Sequence, residues 1–151
     1  MLRRISAPAG LGKGLSLNTM TKNKIASAIV LALLALFELG NFAGNLATAA
    51  DSEAFDSARQ ALDVSSLHQA LRLAFLIPIS GVISLLAVIA LFAVLQDRFQ
   101  LVSQVSRPLP TALALLGVFH IVFTGFVAGS GFGLFGLVFL ILAYAVWRLL
   151  L

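Results

Sequence analysis

The sequence of 151 residues contains no cysteine. This absence excludes disulfide bonds, thiolate metal sites, iron–sulfur clusters and covalent haem attachment through a Cys-x-x-Cys-His motif. The H-E-x-x-H and G-x-S-x-G motifs are absent too, so the chain carries neither of these hydrolase signatures. We therefore expect a protein that is not an enzyme, with no catalytic residues and no metal site.

Charged residues are scarce. They make up 11% of the chain, whereas soluble domains are about a quarter charged, and 60% of the residues are apolar. The mean hydropathy is +1.05. This composition places the protein in the integral membrane class, with the lipid bilayer as its first partner.

Two long stretches lack Asp, Glu, Lys and Arg altogether. Leu73 to Leu95 spans 23 residues, and Pro108 to Trp147 spans 40. A straight helix of 40 residues would be about 60 Å long, twice the hydrocarbon core of a bilayer, so the second stretch must fold back. Its only break contains Gly129, Ser130 and Gly131, and we expect the hairpin turn there because glycine tolerates positive φ.

These patterns predict an all-α integral membrane four-helix bundle at 25–151, preceded by a basic cytoplasmic tail at 1–24. The four transmembrane spans are expected at about 25–46, 69–95, 110–128 and 132–150. A connector that begins at Arg98 and ends in two prolines joins the second and third spans. Pro78 should kink the second span, because proline removes one backbone hydrogen bond of the helix.

The positive charges predict the orientation. Of the ten Lys and Arg residues, only Arg59 and Arg72 fall on one side of this topology, and the other eight fall with the two termini. Basic residues that flank spans remain in the cytoplasm, so both termini are expected there, in a bacterial cytoplasmic (inner) membrane. A secretory signal ending near Ala47-Thr48-Ala49 is the alternative for the first span, but the polar region before that point is long for one.

The loop between the first two spans, Asp51 to Gln69, has helical periodicity. Phe55, Ala58 and Leu62 recur on one face, and Asp51 is suited to cap the helix start. We expect a short amphipathic helix on the outer surface, or a helix that docks a partner.

The stretch GFGLFG, Gly131 to Gly136, matches the letters of a dinucleotide fingerprint. That motif needs a preceding strand and an acidic residue about twenty residues on. Here a membrane span precedes it and no acidic residue follows. We therefore expect no nucleotide ligand, and no nucleic-acid ligand either, because the basic residues are explained by membrane topology.

Polar residues within the spans are the candidate functional residues, because burying them in a membrane is costly. Glu38 is expected to pair with Arg72, to bond to His120 or to stay protonated. The cluster forms either a polar cavity for protons, a lipid or a quinone-like molecule, or a set of side chains that satisfy one another. Its members are Glu38, Asn41, Arg72, His120 and Thr124.

Glycines indicate how the spans pack. Gly40 and Gly44 form a GxxxG pattern in the first span, and Gly125 and Gly129 form another in the third. Small residues four apart allow helices to approach closely in membranes, so we expect these two faces to meet.

Three functions agree with these features. The first is a non-enzymatic accessory or assembly subunit of a larger membrane complex, with other membrane subunits, or copies of itself, as partners. The second is a small transporter or proton-conducting protein centred on Glu38. The third uses His120 to bind haem or chlorophyll, although no cofactor is expected under the first two. A haem shared by His68 and His120 is disfavoured, since the two lie about 12 Å apart in depth.

Overall fold

The computed structural model describes the backbone of residues 11–127, 129 and 131–151, and the side chains of 23–126, 129 and 133–151. Over this part of the chain all regular structure is helical, as predicted. The helices are α1 (Leu11–Ala50), α2 (Ser52–Ala61), α3 (Ser66–Leu95), α4 (Phe99–Ser106), α5 (Pro108–Phe119), a π-helical segment (His120–Val127), a 3₁₀ turn (Gly131–Leu134) and α6 (Phe135–Leu150).

Three helical stretches are long and apolar enough to cross a membrane. They are Asn23–Ala50, Ser66–Leu95 and Phe99–Phe126. Each carries large apolar side chains on its outward face, as expected of helices in contact with lipid. The membrane class predicted from composition therefore agrees with the fold. The last apolar helix, α6, is shorter, at 16 residues.

Two helical regions extend beyond the spans predicted from the sequence. Helix α1 begins at Leu11, so 11–24, part of the predicted basic tail, is helical and continuous with the first span. The remainder of the predicted tail lies outside the described residues. The connector after the second span is also helical, because Pro108 occupies the first turn of α5, where its missing N–H has no intrahelical partner. Gln96 to Arg98 form a tight turn, with Asp97 at a φ of 58°, and Arg107 alone separates α4 from α5.

Helix α1 packs mainly on α3, and α5 packs on α6. The α1 face toward α3 has the spacing of a helix stripe, and Ser84 donates a hydrogen bond of 3.2 Å to the Ala35 carbonyl across the contact. Pro78 lies inside α3 on its exposed side, and the helix continues past it to Leu95. Its kink stays a prediction. The buried stripe of α1 consists of Leu31, Leu34, Ala35 and Glu38.

The bundle has two ends that differ in chemistry. At one, the Lys24 Nζ lies 2.6 Å from an oxygen of Asp97, which ties the start of the α1 span to the α3–α4 turn. At the other, α2 connects α1 to α3. Asp51 caps α2 as predicted, accepting hydrogen bonds from the backbone N–H groups of Glu53 and Ala54. We call these the Lys24 end and the α2 end.

Candidate functional site

A cavity of about 490 Å³ lies at the α2 end, between α2 and the membrane helices. Its wall on the α2 side is formed by Ala58, Ala61 and Leu62, the apolar face of the amphipathic helix and its C-cap. The remaining lining comes from α1, α3, the π-helical segment and α6. Those residues are Phe37, Asn41, Arg72, His120, Thr124, Phe135 and Phe139.

Four of the five predicted cluster residues line this cavity. Asn41 comes from α1, Arg72 from α3, and His120 and Thr124 from the π-helical segment. Residues far apart in sequence thus meet because three helices converge beneath α2. The fifth, Glu38, does not line the cavity.

Arg72 is the one charged residue among the described residues that line the cavity. It lies about 9 Å along α3 from Ser66. Its Nη1 donates a long hydrogen bond of 3.5 Å to the Gln69 side-chain oxygen, and its Nε is buried without a partner. The ion pairs of the described residues are Lys24–Asp97 and Asp56–Arg59, so none compensates the Arg72 charge.

Glu38 is completely buried between α1 and its neighbours, with 0% of its surface exposed. The side chains of Ser80 and Asn41 approach the carboxyl group, yet neither oxygen has a hydrogen bond of good geometry among the described residues. The expected pairing with Arg72 and the expected bond to His120 are therefore not formed. Glu38 lies on α1 between the lining residues Phe37 and Asn41, but its carboxyl group is buried on another side of the helix.

His120 and Thr124 are held by the π-helical segment. The His120 ring stacks on Phe139, with centroids 5.3 Å apart and planes 8° apart, and meets the edge of Phe119 at 6.3 Å. Thr124 is 3% exposed, and its hydroxyl has no partner in the described part of the protein. His68 instead lies exposed at the start of α3, where its ring Nδ1 is hydrogen-bonded to the Ser65 Oγ at 2.9 Å.

The predicted contact between the two GxxxG faces is wrong within this chain. A Cβ added to Gly40 or Gly44 would meet no atom of the described residues within 4 Å, and both residues are exposed. Gly40 follows Glu38 by two residues, about 200° around α1, so a helix that buries Glu38 turns Gly40 outward.

The close glycine contacts join the α5 side of the hairpin to the α6 side. A Cβ at Gly117 would lie 2.7 Å from the Gly136 carbonyl oxygen, and one at Gly125 would lie 3.5 Å from the Gly133 Cα. Gly129 has a φ of 62°, which agrees with its predicted role in the turn. Ser130 lies outside the described residues, and the side-chain space at Gly131 is not described.

Three features of the site were not predicted. The π-helical segment has no signal in the sequence, although such segments are frequent at functional sites. The role of α2 as a cavity wall depends on how the loop folds back. Gln69 is completely buried with its amide nitrogen unpartnered among the described groups, and its polarity at the head of an apolar run was the available signal.

Comparison with known proteins finds no match among family models, curated proteins or solved structures. In the described part of the chain, no group of three or more His, Cys, Asp or Glu side chains is placed to hold a metal ion.

Proposed function

We propose that this protein is a non-enzymatic accessory or assembly subunit of a larger membrane complex, which it contacts through the outward face of α1. The supporting observation is the exposed pair Gly40 and Gly44, whose space for close approach is not filled by any described residue of the chain. Exposed Ala43 and Ala47 extend the pair into a stripe of small residues. We call these four residues the α1 glycine face.

The α1 glycine face suits another helix better than it suits lipid. Helix association in membranes depends on backbone approach, which small residues spaced four apart permit. The same chain uses glycine in this way between Gly117 and Gly136. The partner we propose is therefore a transmembrane helix of another subunit or of a second copy.

The proposed subunit crosses the membrane four times with both termini in the cytoplasm, in a bacterial inner membrane. The 3₁₀ turn and α6 together hold 20 residues, 4 plus 16. At rises of 2.0 and 1.5 Å per residue they would extend about 32 Å, close to the thickness of the hydrocarbon core. The excess of Lys and Arg at the Lys24 end supports the orientation.

The test is the native mass of the protein in mild detergent, compared between Gly44→Leu and the parent. We expect the parent to travel as an assembly larger than its 15.9 kDa chain, and Gly44→Leu to release the folded monomer. Ala74→Leu, at an exposed small residue of α3, is the matched control and should keep the assembly. A parent that is already monomeric, or an assembly that Gly44→Leu leaves intact, would contradict the proposal.

Proton conduction is the second candidate, and the complete burial of Glu38 favours it. An unpaired carboxyl group inside a membrane helix is the usual sign of a functional residue. The protein in liposomes loaded with a pH-sensitive dye would then conduct protons, and Glu38→Gln would abolish the flux without loss of fold. No flux in the parent removes this candidate.

Haem or chlorophyll binding at His120 stays a prediction. His120 lines the cavity, but one ring face is stacked on Phe139. The visible absorption spectrum of the purified protein tests it directly.

A further inference from the structure

The cavity at the α2 end combines an apolar wall with a single positive charge. Six of its ten lining residues are apolar, among them three phenylalanines. The other four are Asn41, Arg72, His120 and Thr124, and no acidic residue is among them. Its volume of about 490 Å³ lies within the range of about 300–1,000 Å³ that is typical of small-molecule sites.

The polar groups of the cavity are suited to an anionic oxygen. The Arg72 guanidinium is part-buried, its Nε has no partner, and no carboxylate among the described residues balances its charge. Thr124, 3% exposed, adds a buried hydroxyl with no partner in the same part of the chain. Buried polar groups normally have partners, and a charge-assisted bond from arginine to a carboxylate or phosphate is among the strongest available.

We propose that this cavity binds a single-chain amphiphile with an anionic head group, a carboxylate or a phosphate monoester. Arg72 and Thr124 bind the head group, and Phe37, Phe135 and Phe139 contact the chain. Helix α2 covers the ligand with its apolar face. None of the described lining residues belongs to the α1 glycine face, although Phe37 lies beside that face, seven residues before Gly44.

The charge of the head group separates this ligand from neutral quinone-like molecules and alcohols. A neutral ligand would fill the apolar volume but leave the Arg72 charge uncompensated. An anionic ligand both fills the apolar volume and compensates the Arg72 charge. Hydrogen bonds to charged groups contribute more binding free energy than hydrogen bonds between neutral groups. The dissociation constant should therefore depend on the head group more than on the chain.

Native mass spectrometry of the full-length protein in a non-ionic detergent tests this with three ligands of one chain length: oleate, oleoyl lysophosphatidate and oleyl alcohol. We expect one bound anion per chain and an affinity for the alcohol at least about tenfold weaker. Binding of oleate alone identifies a free fatty acid as the source, and binding of lysophosphatidate alone identifies a lipid phosphate. Equal affinity for the alcohol, or no binding of either anion, overturns the proposal.

Variants then assign the head-group contact. Arg72→Gln should weaken anion binding at least about tenfold while leaving the alcohol unchanged, and Thr124→Val should weaken it less. Arg98→Gln, an exposed arginine at the Lys24 end, is the matched control and should bind like the parent. Unchanged anion affinity in folded Arg72→Gln would overturn the assignment. If that variant does not fold, Arg72→Lys tests the head-group contact, and the three-ligand comparison on the parent tests the preference for an anion.

Discussion

Polar side chains buried inside the helices differ in whether they form hydrogen bonds. Ser84 is buried and donates a hydrogen bond to the Ala35 carbonyl, so it links α3 to α1. Glu38 lies one turn further along α1, equally buried, without a hydrogen bond of good geometry in the described structure. A buried polar group without a partner costs about 1–3 kcal/mol relative to an apolar group of the same shape.

Glu38→Met should therefore raise the stability of the isolated protein by about 1–3 kcal/mol, because methionine fills the same space without a polar group to desolvate. The melting temperature in detergent measures this. A lower melting temperature would show that the Glu38 carboxyl group is bonded and that the acid supports the fold.

Ser84→Ala should lower the stability of the protein, the opposite of the effect expected for Glu38→Met. It removes the hydrogen bond to Ala35, and hydrogen bonds between membrane helices contribute about 0.6 kcal/mol on average. The same melting experiment should show a small loss of stability. A gain comparable to that of Glu38→Met would mean that the Ser84 bond contributes nothing.

At the scale of elements, the closest helix contact joins α5 and the π-helical segment to the α6 side of the hairpin. Its geometry depends on glycine, since a Cβ at Gly136 would overlap the Gly117 carbonyl oxygen and approach the Ile121 side chain to 2.6 Å. Backbone atoms on both sides leave little room for adjustment, so added volume must separate the helices.

Gly117→Ala should destabilise the protein by about 1–3 kcal/mol through this overpacking. Gly125→Ala is the matched control, because a Cβ there would lie 3.5 Å from the Gly133 Cα, an ordinary contact distance, and it should change the stability far less. Gly117→Ala should therefore have a lower melting temperature in detergent than the control variant. Equal values would mean that the α5–α6 contact is looser than described.

Helix α2 depends on its cap, because it is ten residues long and buries none of them fully. Asp51→Ala should cost about 1 kcal/mol and open α2 locally, since the N–H groups of Glu53 and Ala54 lose their acceptor. Hydrogen exchange at 53–61 should speed up. Asp56→Ala, which removes only the exposed ion pair with Arg59, should change it far less.

At the scale of the whole molecule, the proposed topology puts the Lys24 end and the α2 end on opposite sides of the membrane. Because the chain lacks cysteine, single introduced cysteines report their side directly. Asp56→Cys should react with an impermeant maleimide on intact cells, while Gln96→Cys should react only after permeabilisation. The reverse pattern would invert the proposed orientation.

Leu151→Cys tests whether α6 crosses the membrane. It is exposed at the end of α6 and should be protected in intact cells, like Gln96→Cys. Labelling of Leu151→Cys from outside, together with Asp56→Cys, would mean three crossings and a fourth apolar helix that returns without spanning.

The sequence by itself determined the class and the local elements. Hydropathy and the absence of charge indicate membrane helices because each residue's transfer into lipid is a property of that residue. Caps and turns are equally local: Asp51 starts α2 through its own side chain, and Gly129 turns because it lacks a Cβ. The helical conformation of α1 from Leu11, ahead of the first predicted span, was not predicted.

Only the tertiary structure decided which faces meet. Gly40 and Gly125 have similar sequence surroundings, yet one is exposed and the other lies against Gly133, because helix packing depends on all faces at once. For the same reason Arg72 and Thr124 share a cavity while Glu38, close to them in depth, is enclosed elsewhere. The sequence pattern of one helix indicates which side chains that helix can bury. The rotation of the helix against its neighbours determines which of them are buried.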